Sequence, residues 1–297
     1  MPDLRDMELL AALARHKHFA RAAAECGISQ PAFSARIRNL EEALGAPVVM
    51  RGNRFMGFTH EGEIAVKWAR IMSADARGLR QEIDLARGAL TGDLVVGAVP
   101  TALAFAGGIA AELQKSYESV AVQVYSRSAG EIAQGLQDFS LDVGITYQES
   151  SIPAASRAEQ IYEERYELLV PAGLAGAHRG RISWAQAAEF PLCLLTRNMQ
   201  NRKIVDEAFA AACVAPKPVM ETNSFIVALL QAKNGNAATI APEILSETFG
   251  ASFDLVRLPL VEPEIVKPLC MVIADRDRVI PAVEAFQGII RQRFATA

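Results

Sequence analysis

No run in this 297-residue sequence comes near 18 consecutive apolar residues, so nothing in it reads as a membrane-spanning helix. The first thirty residues also lack the apolar block of a signal peptide: Asp3, Arg5, Asp6, Glu8, Arg15, Lys17 and Arg21 are spread through them, and a cytoplasmic protein is expected. Cysteine is scarce. Cys26, Cys193, Cys213 and Cys270 lie far apart, with no C-x-x-C pair and no histidine at ligand spacing, which speaks against a disulfide framework and a zinc site and leaves buried free thiols as the expectation. Common catalytic motifs are missing too. There is no G-x-S-x-G elbow, no P-loop and no G-x-G-x-x-G after a strand, and the C-terminal part has only His178, so no enzyme, cofactor or metal is expected.

A large net charge is also absent. The total of −4 argues against binding nucleic acid over the whole surface, yet Arg15, Lys17, Arg21, Arg36, Arg38, Arg51 and Arg54 face only Glu25, Glu41 and Glu42 between positions 15 and 60. A polyanion should therefore meet the N-terminal segment, and something small the rest.

What is present divides by hydrophobic period. Up to about residue 58 the chain reads as short helices: Met7, Leu10, Ala11 and Ala14 form one apolar stripe, and Phe19, Ala22, Ala23 and Cys26 a second. Gly27 stops the second helix, Ser29 caps a third, and Pro31 falls in its first turn; two helices across a short Gly-containing turn are a helix-turn-helix by spacing. The third helix should bury Phe33, Ile37, Leu40 and Leu44. Arg51 and Arg54 flank Gly52 between Val48-Val49 and Phe55-Met56, the layout of a hairpin wing. From Glu61 to about Leu90, Ile64, Trp68, Ile71, Met72, Leu79, Ile83 and Ala86 recur at helical spacing. Thirty residues make a rod of roughly 45 Å, and an identical rod is the simplest cover for its stripe. After residue 91, short strand-like runs alternate with helical patterns, which implies parallel sheets covered by helices in two lobes.

Phe19 to Leu44 resembles the DNA-binding region of LysR-type transcriptional regulators. The resemblance rests on Ala22-Ala23, on Ile28 to Ser34 (I-S-Q-P-A-x-S), on Ile37 to Glu41 (I-R-x-L-E), on Leu44-Gly45, on the wing arginines and on Thr59 to Gly62 (T-x-x-G). Length, long helix and α/β pattern agree with that family along the whole chain. The expected fold class is α/β overall: an N-terminal all-α winged helix-turn-helix over 1–58, a linker and dimerisation helix over 59–90, and a two-lobed, periplasmic-binding-protein-like effector domain over 91–297. Lobe I should hold 93–163 and 268–297, and lobe II 164–267. The resemblance further implies double-stranded promoter DNA as partner, an effector in the cleft, and homodimers that pair into tetramers.

The candidate DNA contacts are Ser29, Gln30, Pro31, Ala32, Ser34, Ala35, Arg36, Arg38 and Asn39 on or beside the third helix, with Arg51 and Arg54 of the wing. Asn suits adenine, Arg suits guanine, and alanine touches a thymine methyl, while wing guanidinium groups reach phosphates or a minor groove. In the effector half, Pro100, Thr101, Arg127, Ser128, Thr196, Arg197, Asn198 and Thr222 follow strands, where ligands collect in α/β sheets; they are the candidates for a small, anionic effector. Helix capping is the competing role for each hydroxyl. Three further readings compete: a thiol-based redox regulator using Cys193 or Cys213, a solute-binding module, and a two-lobed enzyme.

Overall fold

The computed structural model describes residues 2–50, 52, 55–150, 152–176, 178–275 and 278–295. Arg51 and Arg54 lie outside them. Among the described residues no helix is long and apolar enough to cross a membrane.

Three helices open the chain: α1 (Leu4–His16), α2 (Phe19–Glu25) and α3 (Gln30–Leu44). Asp3 starts α1 with a reciprocal capping box to Asp6. Gly27 ends α2 at φ +67°, and the Ile28 amide reaches back to the Ala23 carbonyl, a left-handed stop that glycine adopts without strain. The Ser29 hydroxyl then accepts the Ala32 amide at the start of α3. Phe33, Ile37 and Leu40 are buried against α1 and α2, but Leu44 is 43% exposed; it occupies the last turn, before the left-handed cap Gly45.

The wing is paired differently from its expected register. Val49 bridges Phe58, and the Met50 and Thr59 amides bond the Gly57 and Val48 carbonyls, so residues 57–59 form the return arm where Phe55-Met56 was expected. Glu41 Oε1 accepts both the Val48 and Val49 amides, at 2.7 and 3.0 Å, fastening this arm to α3.

Thr59 caps α4 (His60–Ala86) by accepting the Gly62 amide. A side chain at Gly62 would run into the Val48 carbonyl, which is why glycine stands there. One face of α4, with Val66, Ala69, Ala74, Gly78 and Gln81, is buried on α1 and on the C-terminal half. The apolar stripe is a different face and is open: Ile64, Trp68, Met72, Leu79 and Ile83 are all exposed.

The C-terminal half begins with β1 (Gly92–Ala98), α5 (Leu103–Ser116), β2 (Val120–Ser126), α6 (Ala129–Gln137) and β3 (Val143–Tyr147). It continues with β4 (Ser156–Pro171), α7 (Ala172–Ala175), β5 (Ile182–Ser183), α8 (Trp184–Ala187), β6 (Leu192–Leu195) and α9 (Gln200–Ala211). β7 (Met220–Thr222), α10 (Phe225–Lys233), β8 (Ala238–Pro242), α11 (Glu243–Phe249), β9 (Leu255–Val261), β10 (Val266–Ala274) and α12 (Pro281–Ala295) complete it. The strand order is β2-β1-β3-β10-β4-β8-β6-β7, with β9 beside β4 and β5.

The sheet is mixed, a correction to the parallel sheets expected from the alternating pattern. β1, β2 and β3 are parallel, as are β6, β7 and β8, but β10 and β4 run against their neighbours. β4 joins the two halves. Its residues up to Arg165 pair with β10 from Val266 on, and from Tyr166 onward it pairs with β8 and β9. Lobe I and lobe II, as these halves are called below, therefore meet at Arg165/Tyr166 and before Val266, close to but not at residues 163 and 268.

Candidate functional site

Two surfaces carry the candidate residues. On α3, Ser29, Gln30, Pro31, Ala32, Ala35, Arg38 and Asn39 are exposed, with Ser34 and Arg36 half-buried. Gln30 Nε2 donates to Ser34 Oγ at 3.0 Å, one turn along the helix. Arg36 is otherwise engaged: its guanidinium bonds Asp6 Oδ1 at 2.6 Å and Asp3 Oδ2 at 3.0 Å, tying α3 to the start of α1. The same contacts hold the Asp3 carboxyl below its usual range, after the bond from the Asp6 amide. A guanidinium already neutralised by two carboxylates is a clamp between helices, so the expectation of a DNA contact at Arg36 is revised. Arg38 and Asn39 keep the outward face to themselves.

The second surface is a cleft of about 380 Å³ between the lobes. Of the eight effector candidates, Pro100, Thr101, Arg127, Ser128 and Asn198 line it; Thr196, Arg197 and Thr222 do not. Thr222 Oγ1 accepts the Ser224 amide at 3.2 Å and so serves its own turn. Thr196 Oγ1 is buried with no hydrogen-bond partner among the described residues, and Arg197 is exposed.

Two of the hydroxyls that do line the cleft are occupied. Ser128 Oγ donates to Glu131 Oε2 at 2.8 Å and accepts the Glu131 amide, a capping box that starts α6. The bonds from Ser128 hold Glu131 below the usual carboxylate range, so it stays charged. Thr101 is 1% exposed and lies 3.0 Å from the Tyr147 hydroxyl. Tyr147 in turn donates to Glu164 Oε1 at 2.8 Å, and Tyr166 donates to the same oxygen at 2.6 Å. With the tyrosine proton given to Glu164, the Thr101 hydroxyl is the donor to Tyr147. The cleft floor is thus a hydrogen-bonded chain that ends on the strand joining the lobes. Burial pushes the Glu164 carboxyl up to about 7 and both tyrosines well above their ordinary value.

Sequence reasoning missed Tyr147, Gln200, Asn201, Lys203 and Asn223, all of which line the cleft. A signal existed for some of them: Tyr147 ends β3 and Asn223 follows β7, both at carboxyl ends of strands. Asn201 and Lys203 sit inside the first turn of α9, one step past the strand-to-helix junction. Asn201 is 5% exposed, and its Nδ2 has no partner.

The cysteines stand apart from this surface. None lines the cleft among the described residues; Cys193 and Cys270 are buried, Cys26 is half-buried and Cys213 is exposed, a departure from four buried thiols. Burial raises the thiols of Cys26, Cys193 and Cys270, which suppresses the reactive thiolate.

Residues 4–63 match a family described as "Bacterial regulatory helix-turn-helix protein, lysR family", and residues 87–295 match "LysR substrate binding domain". Among curated proteins, a hydrogen peroxide-inducible genes activator of Haemophilus influenzae is 26% identical over 282 residues, 91% of this chain and 90% of that one. The HTH-type transcriptional regulator CbbR of Rhodospirillum rubrum is 31% identical over 156 residues, 52% of each chain. Among solved structures, a full-length OxyR variant from Pseudomonas aeruginosa superposes with a TM-score of 0.76 at 21% identity, covering 97% of both chains. Full-length CbnR complexed with its target DNA does so with a TM-score of 0.67 at 20% identity, covering 98% of this chain and 99% of that one. At these identities the structural likeness speaks for the fold.

Proposed function

The chain belongs to the lysR family of bacterial regulatory proteins, and from that premise we propose that it reads an operator with α3 and adjusts that reading to a small anionic metabolite held between its lobes. The observation that carries the proposal is the pairing of two separate surfaces in one chain: an outward helix face of small and hydrogen-bonding residues, and a cleft with a buried carboxamide at Asn201 whose Nδ2 has no partner among the described residues.

On the reading side, Arg38 is the residue for a guanine edge, Asn39 for adenine, and Ala32 or Ala35 for a thymine methyl. Ser29, Gln30, Pro31 and Ser34, near the start of the helix, serve close approach and backbone contacts. Arg51 and Arg54 supply phosphate or minor-groove contacts. A two-fold operator needs two such helices, and the open stripe of α4 supplies the means: a second copy covers Ile64, Trp68, Met72, Leu79 and Ile83, which joins two reading heads. Family membership extends this to dimers of dimers. The divisions proposed are a reading domain to about 58, the linker to about 90, and the effector domain beyond.

On the sensing side, the effector contacts are Arg127, Asn198 and the α9 residues, with Pro100 and Thr101 as floor. Of the two thiol-sensor candidates Cys193 is buried with its thiol pushed up and Cys213 is exposed; the cleft reading uses neither, and the peroxide in the names of the relatives is not carried over to this chain.

The test is binding of promoter duplexes, selected from genomic DNA, over a series of salt concentrations. Affinity should fall steeply with salt. Arg51→Ala or Arg54→Ala should lower the slope by about one and weaken all sequences alike, whereas Arg38→Ala should relax preference at one position of each half-site. Salt-independent binding, or no selected sequence at all, contradicts the reading.

A further inference from the structure

Several cations near the cleft are matched by carboxylates. Arg202, buried under the Thr196 turn, is held by Asp206 and Glu221 at 2.7 and 2.6 Å. Arg70 and Arg77 of α4 are held by Asp138 and Asp142. Arg127 and Lys203, by contrast, have no carboxylate in ion-pair contact among the described residues. Arg127 donates to the neighbouring Ser126 carbonyl and rests over the Tyr125 ring, and Lys203 makes no ion pair among the described residues. Both line the cleft. They come from opposite sides: Arg127 lies between β2 and α6 of lobe I, and Lys203 in the first turn of α9 of lobe II.

The remaining polar lining is neutral or already used. Glu131, a charged carboxylate, is held by its own capping box, with the Arg127 charge a lesser contributor to keeping it ionised, so an incoming anion must compete with it for Arg127. Asn198, Gln200, Asn201 and Asn223 are carboxamides, all on lobe II, and the buried Asn201 Nδ2 is a donor with no acceptor. An unmet donor in a cleft that also carries two cations without an ion-pair contact, one from each lobe, calls for a ligand rich in acceptor oxygens with negative charge at both ends.

Resting on the cleft reading above, we propose that the effector is a dianion with its two anionic groups at opposite ends of a short chain, a linear dicarboxylate in the simplest case. Arg127 of lobe I takes one end, Lys203 of lobe II takes the other, and Asn201 donates to the carboxylate on the lobe II side. Such a molecule favours one arrangement of the lobes because it is fully bound only when both cations reach it; a single anion has no such preference. This chemistry turns binding into a conformational signal.

The experiment is calorimetric titration of the full chain with the dicarboxylates from succinate to suberate, their mono-methyl esters, and the matching diols. At least one diacid should bind, its mono-ester about tenfold more weakly or worse, and its diol not measurably. Lys203→Met and Arg127→Met should each bring the diacid down to the affinity of its mono-ester. Both side chains reach solvent, so circular dichroism and melting should match the parent. Equal affinity for diacid and mono-ester, an unchanged Lys203→Met, or the absence of binding by every diacid and by the phosphorylated acid below overturns the dianion. A phosphorylated carboxylic acid tested alongside separates the dianion from the dicarboxylate: if it alone binds and depends on both cations, the second anionic group is a phosphate. A metabolite of another class whose binding is lost in Asn201→Ala would refute the dianion and keep the cleft; a ligand indifferent to Arg127, Asn201 and Lys203 alike would remove the cleft reading itself.

Discussion

Glu164 has two tyrosine hydroxyls on one carboxylate oxygen, and its other oxygen, Oε2, is buried without a partner. Tyr162, with its own buried and unpartnered hydroxyl, is the further titratable neighbour. The folded pKa of about 7 stands above the unfolded value of a glutamate, so the folded chain binds the proton more tightly than the unfolded one. Stability is therefore greatest below about pH 4.3 for this group and is lost as pH rises to about 7, a change on the order of 3 kcal/mol. Glu164→Gln keeps an acceptor for both tyrosines and removes the charge. Its melting temperature should lie close to the parent's near pH 4.5 and above it at pH 8. Parallel melting curves across that range would show that Glu164 stays ionised in the fold. On α3 the corresponding contrast is between neighbours: Arg36→Ala should lower stability by about 1 kcal/mol through loss of the clamp to Asp3 and Asp6, while Arg38→Ala should leave stability alone and change base preference. Equal loss of stability in both would refute the division of roles.

Among the elements, α6 connects the cleft to the linker helix. Its first turn, Ala129 to Glu131, lines the cleft, and its cap residue Asp138 is ion-paired with Arg70 on α4 at 2.5 Å. Nine residues of helix, roughly 13 Å, separate the cleft contact from the linker contact. Arg77 to Asp142, and Gln81 to the Ala282 amide and the Asp93 carbonyl, fasten the rest of the linker to lobe I. Arg70→Ala should keep effector affinity and operator affinity near the parent's while shrinking the change that effector causes in the latter, and the exchange of charges, Arg70→Asp with Asp138→Arg, should restore it. An undiminished response in Arg70→Ala would move the route elsewhere. The open face of α4 makes its own prediction: Leu79→Glu and Ile83→Glu alter side chains that are 60% and 44% exposed, so the fold should persist and the dimer should dissociate in sedimentation. A parent that is monomeric at micromolar concentration would contradict it.

The same elements show what was legible beforehand. Local signals sufficed where one residue sets the backbone, as at Gly27 and Ser29, while Thr59 was indicated only by the family resemblance. They failed on the first ten residues of β4, Ser156 to Arg165, whose charged side chains other than the buried Glu164 lie wholly or partly in solvent, and on β9, where Pro259 interrupts the pattern. Both are antiparallel strands joining or flanking the lobes, which is why the sheet was expected to be parallel. In the cleft, strand ends pointed to Thr101 and Asn198, yet which hydroxyls are free depends on partners far along the chain. Tyr147 lies 46 positions from Thr101, and no local pattern announces that bond.

For the whole molecule, a basic reading head and an acidic sensing half are joined by a helix that belongs to both. Coupling between them can be no larger than the ligand's preference for one lobe arrangement, about 1 to 3 kcal/mol in regulators of this kind, or roughly 5- to 150-fold in affinity. By linkage the operator must change effector affinity by the same factor. The most direct measurement is the affinity of the full chain for a selected operator duplex, by fluorescence anisotropy at fixed salt, with and without saturating effector, for the parent and for Asn201→Ala. The account predicts a severalfold change in the parent, in either direction, and none in Asn201→Ala at the same ligand concentration, with equal affinities when effector is left out. Superimposable curves for the parent with and without a ligand shown to be bound in the cleft would contradict it.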